Sequence, residues 1–204
     1  MIALQAEGIP LVEESIGAAT FKRLKVLELG SGCGIVGLSL AQAIPDCDVL
    51  LTDLPEAREI AERNIASMNP AMGSKATFLE LDWEQPLPPA VQAKPFDLIL
   101  VADCTYNPDS APALVQTLTA LVEKAPKSIV LLAMKVRHQS EMVFFDLMRD
   151  AKFVQKPPLK LVLPTLSDEP EVVLVYVFHH QDRPSYADST HPQIRKSVVQ
   201  FWPE

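Results

Sequence analysis

A chain of 204 residues that is 48% hydrophobic and 22% charged has the length of one ordinary domain and enough apolar material for a buried core, which excludes disorder for most of it. Its net charge of −8 speaks against a phosphate-binding surface, since nucleic-acid affinity rests on Lys and Arg, and a basic protein or peptide is the better-matched partner. Three cysteines without a CxxC pair suggest neither a disulfide framework nor a thiolate zinc site, and no basic leader or apolar run of membrane length is visible, so a monomer in the cytosol or nucleus is expected.

In chain order, Val26 to Leu29 is a short apolar strand that stops at Gly30-Ser31-Gly32-Cys33-Gly34, and Ile35 to Ile44 then reads as a helix ended by Pro45. Asp48 to Thr52 is a second strand. Pro55 suits a first helical position and opens a helix to about Met68, closed by Asn69-Pro70. Strands at Ala76 to Leu81 and Phe96 to Ala102, a helix at Pro112 to Glu123 and a strand at Ser128 to Val136 continue the alternation. A helix over Glu141 to Asp150 and a β-prone run at Glu171 to Phe178 follow. Such alternation predicts an α/β fold with a doubly wound, mostly parallel sheet covered on both faces. The 18 prolines fall between elements, as at Pro86, Pro88, Pro89, Pro157 and Pro158. Residues 1–180 read as one domain and 181–204 as a polar tail.

The first strand ends in an acid-x-Gly-x-Gly-x-Gly pattern with Glu28 and glycines at 30, 32 and 34. A dinucleotide fingerprint needs its third glycine at 33, where this chain has Cys33, so the turn is a variant of the phosphate loop. A carboxylate there would attract an ammonium and repel pyrophosphate. Asp53 ends the second strand 23 residues after Gly30, the place of an acid that accepts from ribose hydroxyls, with a helix cap as its plainer alternative. Asp82-Trp83 at the end of the third strand offers an amine acceptor beside an aromatic plane. Three acids at the carboxyl ends of successive strands describe one rim, where open α/β sheets bind ligands.

Leu27 to Gly37 resembles the first motif of the class I, seven-β-strand methyltransferases, and within them of the family-16 group rich in protein-lysine methyltransferases. Thr52-Asp53-Leu54, Leu81-Asp82-Trp83 and Ala102-Asp103-Cys104-Thr105-Tyr106 are similar to that group's ribose, adenine and Asp-x-x-Tyr substrate-side motifs. The resemblance implies a seven-stranded Rossmann-like fold and S-adenosylmethionine as cofactor, with S-adenosylhomocysteine as product. It implies that Glu28, Gly30, Ser31, Gly32 and Gly34 surround the methionine end, Asp53 and Leu54 the ribose, and Asp82 and Trp83 the adenine, with Ala102 beside them. Asp103 is then the positioning acceptor and Tyr106 the orienting wall for methyl transfer to a lysine of a protein. No metal, nucleic acid or membrane is implied.

Cys104 has no activating base in the sequence, and acidic neighbours would raise its pKa, so a nucleophilic role is disfavoured. Adjacent His179 and His180 would point to opposite faces of a strand and could not converge on one metal ion. Lys135, Arg137 and His138 follow the fifth strand and stand at the acceptor entrance or in a solvated loop. Family members carry a tryptophan-bearing segment that closes over the cofactor, whereas no tryptophan lies among the 25 residues before Val26. Further residues upstream are expected, the alternative being that Phe201-Trp202 folds back as a lid. The rival functions are a small-molecule N-methyltransferase and a non-catalytic cofactor-binding interaction protein.

Overall fold

The computed structural model describes residues 23–135, 139–163 and 171–182. The expectations for the upstream segment, for Arg137 and His138 and for Phe201-Trp202 lie outside the described residues. Five strands run parallel: β1 (Leu24–Leu29), β2 (Cys47–Asp53), β3 (Lys75–Glu80), β4 (Leu98–Ala102) and β5 (Ile129–Met134). The helices are α1 (Ile35–Ala43), α2 (Arg58–Ser67), α3 (Pro89–Gln92), α4 (Ala111–Lys124) and α5 (Val143–Asp150). Three further strands, β6 (Phe153–Gln155), β7 (Leu159–Leu163) and β8 (Glu171–His180), pair antiparallel.

The sheet order is β3-β2-β1-β4-β5-β8-β6, with β7 also on β8. The expected seven strands are therefore eight segments in seven positions, because β6 and β7 share the edge of β8. Gln155 faces Phe178 and Leu159 faces Val175, so three residues, Lys156 to Pro158, span two on β8 and the register slips by one. Two prolines without N–H groups explain that break, since neither can donate to the ladder. Sequence reading took the same prolines as loop punctuation and missed β6 and β7. It missed α3 likewise, where Pro89 is not a breaker but the first helical residue.

Both faces of the sheet are packed. Leu27, Leu29, Ile99, Val101, Val130 and Leu132 alternate onto one face, where Leu114 and Leu118 of α4 and Phe144 and Met148 of α5 meet them. Leu114 and Leu118, like Phe144 and Met148, stand four apart, so one stripe of each helix is buried. The other face joins Leu24, Val26, Val49, Leu51 and Leu100 to Leu38 and Ala41 of α1. Among the described residues no helix is long and apolar enough to cross a membrane.

The approach of α1 depends on Gly37, where an added Cβ would come within 2.5–2.9 Å of Glu28 Oε2, a Leu51 methyl and a Val49 methyl. Alanine gains about 1 kcal/mol of helix propensity but overpacks at about 1–3 kcal/mol. Gly37→Ala is therefore expected to lower unfolding stability by up to about 2 kcal/mol in a urea titration, against the gain that an exposed helical site would show.

Successive connections from β1 lead one way to β2 and β3, and the other half of the sheet begins at β4. The strand order thus reverses between β1 and β4, and a crevice opens there at the carboxyl ends.

Candidate active site

The crevice is a cavity of about 380 Å³ at the carboxyl ends of β1 to β4. Of the expected site residues it brings together Gly30, Asp53, Leu54, Asp82, Trp83, Asp103 and Tyr106. Glu28, Ser31, Gly32, Gly34 and Ala102 do not line it.

The glycine turn is tied down from several sides. Ser31 N–H donates to Thr52 O (3.0 Å), Gly34 N–H to Ser31 O (2.7 Å) and Asn64 Nδ2 to Cys33 O (2.8 Å). Gly30 has a φ of 61°, and a Cβ there would meet Cys104 Sγ at 2.7 Å and the Trp83 ring at 3.1 Å. The residue is glycine for two reasons at once: its backbone is left-handed, and the floor and wall of the cleft close directly on it.

Glu28 is only 2% exposed. It lies beneath the turn, where its Oε2 accepts the Gly37 N–H at 2.8 Å near the start of α1. Burial pushes its carboxyl up to about 7, the Gly37 hydrogen bond pulls the other way, and the Asp53 charge adds to the rise. The acid that the sequence places at a strand end, facing a ligand's methionine end, is thus turned beneath the glycine turn and buried against its own strand and helix.

Asp53 uses both carboxylate oxygens, accepting Gly32 N–H at 2.6 Å and Leu54 N–H at 2.7 Å. It is not the side-chain cap of the turn at Pro55–Ala57, so the plainer alternative for it is not what the structure adopts. Asp82 Oδ1 accepts Glu84 N–H at 2.9 Å, an Asx-type turn that holds the Trp83 loop. Across the cleft, Asp103 has a φ of 55°, and its N–H donates to Ala133 O at 2.8 Å. That left-handed residue turns the chain so that Asp103 and Tyr106 are exposed, the latter at 68%, while Cys104 and Thr105 are buried.

Cys104 forms part of the floor. Its Sγ lies 3.3 Å from Leu29 O and 3.2 Å from Ala102 O, and burial pushes the thiol up to about 12. A thiol held so far from ionisation is no nucleophile. Lys135 pairs with Glu171 at 2.6 Å and does not line the cavity. Among the described residues no group of three His, Cys, Asp or Glu is placed to hold a metal.

Leu81, Glu84, Ser110 and Ala113 also line the cavity and were not singled out from sequence. The signal was available for the last two, because the helix after the β4 turn opens at that rim and residues three apart in it share a face. The direct consequence of the geometry is that Asp53→Ala loses a charge-assisted acceptor and the anchor of Gly32. A diol ligand should bind about 10- to 100-fold more weakly by calorimetric titration, with the fold retained. Unchanged affinity in a folded variant would remove Asp53 from the binding site.

The family model described as lysine methyltransferase matches residues 5–151. The chain is 33% identical over 142 residues to the mouse protein N-lysine methyltransferase METTL21A, a stretch covering 69% of this chain and 63% of that protein. It is 36% identical over 126 residues to the mouse EEF1A lysine methyltransferase 3, covering 61% and 51%. The matched stretches span less than two thirds of the curated relatives' lengths, down to 37%. Among solved structures, a SAM-dependent methyltransferase from Methanosarcina mazei superposes with a TM-score of 0.59 at 15% identity, over 76% of this chain and 92% of that one. That likeness establishes the fold.

Proposed function

The chain belongs to the lysine methyltransferase family, and from that premise we propose that it transfers a methyl group from S-adenosylmethionine to the side-chain amine of a lysine in another protein. The observation that carries this reading is a single cleft with Asp53, Asp82 and Trp83 on one side and Asp103 and Tyr106 on the other.

The residues suit the cofactor. Asp53 offers carboxylate oxygens to ribose hydroxyls, Asp82 an acceptor to the exocyclic amine, and Trp83 and Leu54 an apolar bed for the purine and sugar. Trp83, which lines the cleft, has a buried Nε1 without a hydrogen-bond partner among the described residues, a cost that a ligand acceptor would relieve. When bound, the cofactor supplies an electrophilic methyl carried on a sulfonium. Gly30 keeps the turn low enough for a ligand to lie over it, while Glu28 and Gly32 act from beneath and beside the turn by fixing its shape.

A lysine ammonium, with an ordinary pKa near 10.4, has no lone pair to attack with and must lose a proton first. Asp103, exposed on a backbone held by Ala133, accepts a hydrogen bond from the amine once the amine's proton has passed to solvent, which aims the nitrogen lone pair at the reacting carbon. Tyr106 supplies a wall and a hydroxyl that narrow the range of approach, and such alignment is a large part of what an enzyme contributes to a displacement. Among the described residues the cleft is lined by carboxylates and by no Lys or Arg, so it draws in a cationic side chain. A monomer acting in the cytosol or nucleus completes the proposal.

Incubation of the full chain with radiolabelled cofactor and a cell lysate tests it. A labelled protein band supports the proposal; label confined to small molecules would move the acceptor to that class, and no transfer at all would leave a cofactor-binding interaction protein.

A further inference from the structure

A second cavity, about 390 Å³ and as large as the first, lies between the loop after β3, α3 and the outer face of α4. The two cavities share Trp83 and Glu84, so one side chain and its neighbour form the partition between them. Three glutamines line the second cavity, Gln85, Gln92 and Gln116. Each amide offers both a donor and an acceptor, the pair of functions that an extended peptide backbone presents in return. Gln92 is already oriented, since its Nε2 donates to Leu87 O at 2.6 Å and leaves its carbonyl oxygen for a ligand. Leu87 and Ala120 provide an apolar floor, and Glu84 and Glu123 outnumber the single Lys124 at the rim.

We propose that this groove docks an extended segment of the protein whose lysine is methylated, seating an apolar side chain on Leu87 and Ala120 beside a basic residue near Glu84 and Glu123. The inference rests on the reading of the first cleft as a protein-lysine site. A groove one indole away from that cleft lets a partner be held at two points. The second point contributes to affinity and selection without entering the chemistry. None of the groove residues beyond the shared partition belongs to the cofactor or acceptor side of the cleft, so groove variants leave cofactor binding alone.

The test measures labelling of lysate proteins by the full chain with radiolabelled cofactor, in two variants. Ala120→Trp fills the groove, and the double variant Gln85→Ala with Gln116→Ala removes amides without adding bulk. Both are expected to lower labelling of protein bands about tenfold at dilute lysate, to recover as lysate protein is raised, and to bind the cofactor like the wild type. Should Ala120→Trp lose cofactor binding through misfolding, the glutamine variant decides alone. Wild-type labelling by the glutamine variant at dilute lysate overturns the docking groove while leaving the lysine-methyltransferase reading intact. Absence of any labelled protein with the wild-type chain overturns that reading and the groove with it.

Discussion

Replacing Asp103 by alanine is expected to lower methyl transfer about 100-fold while cofactor affinity stays within about threefold. The side chain faces the cleft from β4, across from the acids of β2 and β3, so its loss falls on the acceptor and the transition state rather than on cofactor binding. Alanine at a φ of 55° also strains the turn, which would confuse the result if it were the only variant. Asp103→Asn resolves this, because asparagine tolerates the left-handed region and keeps the shape while removing the negative charge. Both variants should fall in turnover, and Tyr106→Phe should fall by a smaller factor, about tenfold. Single-turnover transfer with saturating cofactor gives the number, and wild-type rates in Asp103→Asn and Tyr106→Phe would remove the Asp-x-x-Tyr segment from the chemistry.

Glu28→Gln is expected to change the pH dependence of stability between pH 4 and pH 8. In the folded chain the Glu28 carboxyl ionises near 7, against 4.5 in its ordinary state. A folded-state value raised in this way means that the contribution to stability is fully present below about pH 4.5. It is lost progressively as pH rises from about 4.5 to about 7, the range in which the unfolded chain has released the proton and the folded one still holds it. Glutamine stays neutral throughout and keeps an oxygen for the Gly37 N–H. Relative to wild type, Glu28→Gln should therefore gain on the order of 3 kcal/mol between pH 4 and pH 8, seen as a Tm difference that opens by about 6–12 °C over that range. Parallel Tm profiles for the two proteins would show that Glu28 is ionised in the fold at no cost and that its burial is not what sets its proton affinity.

The parts of this protein written in short stretches of sequence were legible before any coordinates. The five parallel strands and the helices between them follow from apolar runs and punctuation. Asp53, Asp82, Trp83, Asp103 and Tyr106 converge because each lies at or just beyond a strand end, and parallel strands put all such ends on one rim. Gly30 could be singled out because a demand on backbone shape is met locally by one residue type. What a side chain faces is another matter, because it depends on partners far away in the chain. Glu28 is an acid at a strand end like Asp53, yet α1 and the alternation of β1 turn it into the core, where burial raises its proton affinity. Cys104 sits inside a recognisable motif, but only the packing of Leu29, Gly30 and Trp83 makes it an inert floor. The proline pair at 157 and 158 reads locally as a loop, and only the ladder of β8 turns it into the break between two strands sharing one edge. Trp83 carries no local hint that it divides two cavities. Backbone requirements act over a few residues and leave a pattern there, whereas burial, proton affinity and the walls of a cavity are sums over contacts that exist only once the sheet has assembled.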